Sequence, residues 1–477
     1  MHQSLLTKFK VLLLCLLFLP IYLHNLVSSP MGLTVDEAAF AYNATLLSKT
    51  AHDENGRFLP VFVLSIDGKD WRQPITQYYQ TAFFKLFGAS IYNLRLSNLV
   101  LVFAIGLLLY YLLSLVINPT AGLLGLFFYL TTPIVFIHGH LALDNNAPLF
   151  FLLLYLITLY KYTQTKKLSN LIYAGISLGI CFYTYKAMRA TVPIWGLTTL
   201  LYIFLQNKKL KPLIYFSAGL APFALAAPIL QKLYPGSVFD KNTLHLSSVY
   251  DFFYPYISSF DLGFLFIKGD DTPFHSTGIH GMFLLASLPI LFYCFYQIIK
   301  TRTKNKFLFF ILLLLVLTPS LMGLVGSIHR ASRLMVFVPF FAIAFASITS
   351  KLNFKLRVLI IFAFLLNFID LFSYYHLNYN LKTQALFGNS SYYHSYITLN
   401  SISQKTTFTP YINKDLSVSK DISGKFFQEA YLSKKAVLIQ RDEELPKNAV
   451  LMTNRAEVPG LNLISCDEFG QCFFQSP

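Results

Sequence analysis

The sequence predicts a polytopic α-helical membrane protein, with about eleven transmembrane helices and a small exterior C-terminal α+β domain. Three observations lead there. Of the 477 residues, 55% are hydrophobic and only 13% are charged, a balance whose apolar surface water would not tolerate. Apolar stretches of bilayer length, roughly 17–25 residues, recur from Val11 to about Tyr374. Beyond Tyr375 the hydrophobic density falls, and Ser, Asn, Lys and Tyr take over.

In chain order, the spans start near Val11, Asn93, Ala121, Pro148, Leu168, Thr191, Pro212, Gly281, Phe307, Leu334 and Leu356. Lys8 and Lys10 precede the first span as in a signal peptide, but no small-x-small cleavage site follows, so it reads as an uncleaved anchor. An extramembrane stretch at about residues 28–92 comes next. Its pattern predicts a helix over 37–50, a polar turn over 51–56 and a second helix over 75–87. A second long stretch, at about 232–280, carries Asp240, Asp251, Asp261, Asp270 and Asp271 among many aromatic residues, which suits a loop lying partly among lipid headgroups. In the tail, the alternating runs 436–440 and 449–453 predict strands. The expected division is therefore a membrane domain, 1–375, and an exterior domain, 376–477. No internal repeat and no metal-cluster spacing is evident.

Orientation follows from Lys and Arg, because basic loops resist export. Lys161, Lys166 and Lys167 follow the fourth span, and Lys208, Lys209 and Lys211 separate the sixth from the seventh. Lys300, Arg302, Lys304 and Lys306 separate the eighth from the ninth; Lys351, Lys355 and Arg357 separate the tenth from the eleventh. These clusters occupy every second loop, which places the N-terminus in the cytoplasm and the tail outside a multi-pass cell-membrane protein. The net charge of +16 then reports topology and contact with anionic membrane lipids, and no nucleic-acid site. Of five cysteines, Cys15, Cys181 and Cys294 fall in apolar spans, while Cys466 and Cys472 could close a small disulfide loop if the exterior is oxidising.

Three polar groups remain, all expected on the exterior face. The first is the acid pair Asp36 and Glu37, in which Thr34 and Glu37 also have the spacing of a helix capping box. The second is "HGHLALDNNAPLF", where Asp144 precedes the fourth span and could equally cap its helix. Its His138 and His140, at alternate positions, suit headgroup contact or capping better than metal ligation. The third is a set of cations, Lys186 and Arg189 in "YTYKAMRA" and His329, Arg330 and Arg333 in "SIHRASRLM". Exterior loops should be poor in Lys and Arg, so cations kept there suggest an anionic ligand, and Arg clamps phosphate oxygens well. Carboxylates facing guanidinium groups around one cavity fit a lipid-phosphate sugar: the cations hold the departing phosphate while a carboxylate takes a proton from the incoming hydroxyl or amine. The rival reading is a transporter or flippase of lipid-linked glycans. Such proteins usually show repeated halves and mid-membrane ionisable groups, and neither is seen here. A non-enzymatic scaffold would leave the acids and cations without a task.

The order of motifs, namely the first span, Asp36-Glu37, "WRQPITQYYQTAFFKLFG", "NLRLSNLV" and "AGLLGLFFYLTTPIVFIHGHLALDNNAPLFFLLLYL", resembles membrane glycosyltransferases of the GT-C fold. Within them it is similar to the branch of protein O-mannosyltransferases and the lipid A aminoarabinose transferase, over roughly residues 1–375. The resemblance implies transfer of a sugar from a polyprenyl-phosphate donor to a lipid, glycan or protein acceptor on the exterior face, usually with inversion. It makes Asp36, with Glu37 beside it, and Asp144 the candidate catalytic carboxylates. It also directs Arg330 and Arg333 to the donor phosphate, the ligand that Lys186, Arg189 and His329, as the other exterior cations, are expected to share. Arg72 and Tyr78 become first-loop donor or acceptor contacts, although the family's basic-Pro-Pro segment stands here as Arg72-Gln73-Pro74. Some members use a divalent cation, and Asp36, Glu37 and Asp144 could supply oxygen ligands for Mg²⁺ or Mn²⁺.

Overall fold

The computed structural model describes residues 2–239, 248–301, 305–383, 387, 392–416, 421–440, 443–467 and 470–476. Asp240, Arg302 and Lys304 lie outside them. Each of the expected apolar runs coincides with a helix. Among the described residues, five helices are long and apolar enough to cross a bilayer: Ile91–Val116, Met188–Asn207, Leu210–Leu233, Lys306–Val325 and Phe354–Thr383. The pair Pro119–Leu130 and Pro133–Gly139 makes a sixth if its 63° bend is one broken span. Pro133 causes that break, since it has no N–H to give and drives the residue before it out of helical conformation. Ser169–Phe182, Leu285–Gln297 and Phe337–Thr349 are shorter apolar helices. The eleven expected runs thus do not become eleven full-length helices. The chain is nonetheless a multi-pass membrane protein: Ile214, Leu225 and Ile229 on one span and Val358, Phe362, Leu366 and Ile369 on another are exposed, a cover only lipid makes favourable.

The chain forms two compact units, Met1–His24 with Asn98–Asn378, and Asn25–Ser97 with Tyr379–Pro477. The first unit ends at Asn378. The first extramembrane stretch, expected as an appendage of the membrane domain, instead folds with the tail.

The membrane unit has an aromatic core in which Phe18 meets Phe368 at 5.7 Å and Phe128 meets Phe364 at 4.7 Å between ring centroids. Its helices Ser169–Phe182 and Leu210–Leu233 touch through backbone. A Cβ on Gly175 would lie 2.3 Å from the Phe216 carbonyl, and one on Gly219 would lie 2.2 Å from that of Ile172. The second extramembrane stretch contains the helix Val249–Ser258, then a loop whose Gly281 is pressed against the backbone of Leu265 and Phe266.

In the second unit, the helix Val35–Thr50 packs against Pro74–Phe87 and against Ile422–Tyr431 of the tail. Strands β1 (Val63–Ser65) and β2 (Asp70–Arg72) form a hairpin, turned by Ile66, Asp67 and Gly68 in left-handed backbone. The tail holds β3 (Thr409–Asn413), β4 (Val437–Ile439), β5 (Ala449–Thr453), β6 (Asn462–Cys466) and β7 (Cys472–Gln475) in a five-stranded sheet of order β4-β3-β5-β7-β6. Both strands expected from alternation appear as β4 and β5. The helix Ile422–Tyr431 links β3 to its parallel neighbour β4, the crossover that parallel pairing requires. Cys466 and Cys472 are opposite one another in the β6–β7 ladder and are joined by a disulfide.

Candidate active site

The acid pair is divided by the helix it starts. Thr34 caps Val35–Thr50, its hydroxyl accepting from the Glu37 N–H at 3.0 Å while Glu37 Oε2 accepts from the Thr34 N–H at 3.1 Å. The other Glu37 oxygen, Oε1, lies 3.3 Å from Arg95 Nε, and both side chains are fully buried. Arg95 also donates to the carbonyls of Leu26 and Val27 at 3.0 Å, of Pro30 at 2.9 Å and of Gly32. Glu37 therefore ties the chain ahead of the helix to Ile91–Val116. A charge held this way is costly to disturb.

Asp36, one residue earlier and a quarter-turn or more away, has 56% of its side chain exposed and accepts from Arg72 Nη1 at 2.8 Å. Arg72 is only 4% exposed and also pairs with Asp70, two residues earlier on β2. Its guanidinium lies 5.1 Å from the Phe40 ring centroid. The side chain expected to meet the donor or acceptor thus faces the Asp36 carboxylate, fixing one oxygen of a half-exposed acid. Tyr78 donates its hydroxyl proton to the Pro60 carbonyl at 2.7 Å, holding the loop above its helix.

In the membrane unit, Asp144 opens a 3₁₀ turn, Asp144–Asn146, ahead of the helix Ala147–Thr165. Asn146 at the cap makes no capping bond; its amide donates to Asn98 Oδ1 and to the His138 carbonyl, both at 3.1 Å. Asn145 Oδ1 is 3.0 Å from His138 Nδ1, and His138 Nε2 is 3.1 Å from His275 Nδ1. Assigned from this network, both imidazoles carry their proton on Nδ1. Burial first, then the neighbouring Arg330 charge, push His275 down to about 4, so at neutral pH Arg330 is the cation of this corner. His140 Nδ1 meets the Phe136 carbonyl at 2.9 Å, a backbone contact within its helix turn.

Arg330 Nη1 lies 3.7 Å from the fully buried Asp270 carboxylate, and the guanidinium side chain is 42% exposed. His329 stacks on Phe264 and stands 3.4 Å from Asp261 and 3.8 Å from Asp271, so two acids of the second extramembrane stretch face its ring while its Nε2 makes no hydrogen bond. Arg333 donates to the Ser327 hydroxyl. Lys186, exposed, lies on the connection into the helix Met188–Asn207, and Arg189, half-buried, is in that helix's first turn.

Among the described residues, no group of three or more His, Cys, Asp or Glu side chains is arranged to hold a metal ion. Glu37 is also taken by Arg95 and the cap, so the oxygen set expected for Mg²⁺ or Mn²⁺ is not assembled from it. Four residues that matter to this geometry carried no assigned role in the sequence: Asp70, Arg95, Asp270 and His275. Arg95 was visible as a lone cation in an apolar run and Asp270 as one acid among five, but nothing in spacing tied either to its partner.

The family model for dolichyl-phosphate-mannose-protein mannosyltransferases matches residues 72–231. No match is found among curated proteins. Among solved structures, the chain is similar to ArnT from Cupriavidus metallidurans bound to undecaprenyl phosphate, with a TM-score of 0.56 and 12% identity over 97% of each chain. It is also similar to the same protein in the apo state, with a TM-score of 0.55 and 12% identity over 96% of this chain and 97% of that one. At such identity the likeness is one of fold. The chain has the GT-C fold of membrane glycosyltransferases, as its acid pair and the Asp144 segment led one to expect.

Proposed function

We propose that this protein is a membrane glycosyltransferase that moves a sugar from a polyprenyl-phosphate carrier to a lipid, glycan or protein acceptor on the non-cytosolic face. Asp36 is the base. It takes the proton from the acceptor hydroxyl or amine as that atom attacks the anomeric carbon; the bond from that carbon to the phosphate oxygen breaks, and polyprenyl phosphate leaves. Arg330 meets the leaving phosphate, where an oriented guanidinium stabilises developing charge. Lys186, Arg189 and Arg333 are further cations for the donor, and Asp144 orients donor or acceptor.

The observation that carries this reading is the division of the acid pair. Glu37 is withdrawn into an ion pair with Arg95, whereas Asp36 stays half-exposed with one oxygen pinned by Arg72. A base needs both a fixed direction and access to its proton. The carrier class is supported by the undecaprenyl phosphate bound to ArnT, a protein of the same fold.

The test is Asp36→Asn in purified membranes, following transfer from a labelled polyprenyl-phosphate sugar. Loss of general-base assistance should lower turnover by about 10²–10⁴-fold, with thermal stability unchanged. Wild-type turnover in a stably folded variant removes Asp36 from the mechanism.

A further inference from the structure

We infer that Asp270 is a positioning residue for Arg330, presenting its guanidinium to the phosphate oxyanion of the lipid carrier; this rests on the reading of Arg330 as the donor-phosphate contact. The Asp270 carboxylate is fully buried and uses both oxygens. Oδ2 accepts from the Ala331 N–H at 2.5 Å, and Oδ1 accepts from the Thr272 N–H at 2.7 Å and the Thr272 hydroxyl at 2.5 Å. Arg330 Nη1 stands 3.7 Å from Oδ1. That separation is an ion pair but exceeds hydrogen-bonding reach, so Asp270 attracts the guanidinium without consuming its donors.

Two constraints follow from one side chain. By holding the Ala331 N–H, Asp270 pins the backbone at the start of the 3₁₀ turn Ala331–Leu334, next to Arg330 itself. By its buried charge, it draws the cation to one place, because a carboxylate removed from water needs a counter-charge. An amide of the same size cannot substitute. It has a single acceptor oxygen and would turn its NH₂ toward one of the N–H donors. Arg330 is left with an exposed guanidinium whose base is fixed, the condition for a forked contact to phosphate.

The experiment measures donor and acceptor KM and kcat in the full-length protein in lipid nanodiscs, with a labelled polyprenyl-phosphate sugar. The variants are Asp270→Asn, Arg330→Ala, the double variant, and Thr272→Val with and without Arg330→Ala. Asp270→Asn should lower kcat/KM for the donor about tenfold, through a raised donor KM together with a lowered kcat, with acceptor KM within about twofold. In the Arg330→Ala background the same change should have no further effect on donor kcat/KM, as expected of a residue acting through its partner. Thr272→Val, which keeps the carboxylate, should lower donor kcat/KM about threefold by loss of one hydrogen bond, again only when Arg330 is present. If Asp270→Asn is too unstable to assay, this second pair decides. An equal penalty with and without Arg330, or an unchanged donor kcat/KM, overturns the inference while leaving the function intact. An unchanged donor kcat/KM in Arg330→Ala alone removes the phosphate reading, and the inference with it.

Discussion

Asp36 and Glu37 are adjacent and chemically alike, yet the fold assigns them opposite tasks. The helical step between successive residues turns Glu37 into the unit and Asp36 toward its surface, and Arg95 and Arg72 then bind them separately. Arg95 is the more consequential for stability. It neutralises a fully buried carboxylate and donates to four backbone carbonyls between Leu26 and Gly32. Arg95→Ala should therefore destabilise the protein by about 3–5 kcal/mol, the range for removing one partner of a buried pair, as read by thermal unfolding in detergent. Adding Glu37→Gln should return part of that loss, because the stranded charge is removed with it. Neither Arg was legible as a partner in the sequence: a basic residue in an apolar run shows that a counter-charge is needed, but its partner is 58 positions away.

Helix pairing in the membrane unit turns on glycine. Where helices Ser169–Phe182 and Leu210–Leu233 meet, Gly175 and Gly219 each face the backbone of the other helix, and Gly179 meets the Phe223 ring in the same way, 2.3 Å from where its Cβ would be. Small residues four apart permit this close approach, in which packing supplies the attraction that water cannot provide inside a bilayer. Gly219→Ala must separate the two backbones or bend one helix, and should cost about 1–3 kcal/mol. The loss should appear as a lower midpoint of thermal unfolding, while Gly460→Ala, whose position is open but has positive φ, should show only the smaller backbone strain of a surface turn. The same scale explains the bent pair at Thr132-Pro133. Hydropathy sees a continuous apolar run there, whereas the proline breaks the hydrogen-bond ladder and the chain turns by 63°.

At the scale of the whole chain, the tail is the partner of the first extramembrane stretch. Helix Ile422–Tyr431 lies on Val35–Thr50, Phe426 stacks with Phe84 at 6.4 Å, and the Tyr431 hydroxyl accepts from the Ile91 N–H at 2.9 Å. Lys49 and Glu429 also pair at 3.2 Å, but both are solvated and add little. Truncation after Asn378 should thus expose the apolar face of the helix that carries Asp36 and abolish transfer for every acceptor. Limited proteolysis should then cut within residues 51–69 faster than in the full-length chain. Retained activity with a small acceptor would instead make the tail a detachable acceptor guide. The amino-acid sequence by itself determined the membrane character, the helical runs, the cap at Thr34 and the candidate acids and cations, because hydropathy, periodicity and capping are local and can be read within a few turns. Only the tertiary structure decided which acid stays exposed, that Arg72 serves Asp36, that Asp270 backs Arg330 and that the tail folds with the first loop. Those outcomes depend on burial and on pairing between side chains tens to hundreds of positions apart, and such contacts leave no periodic trace in a single chain.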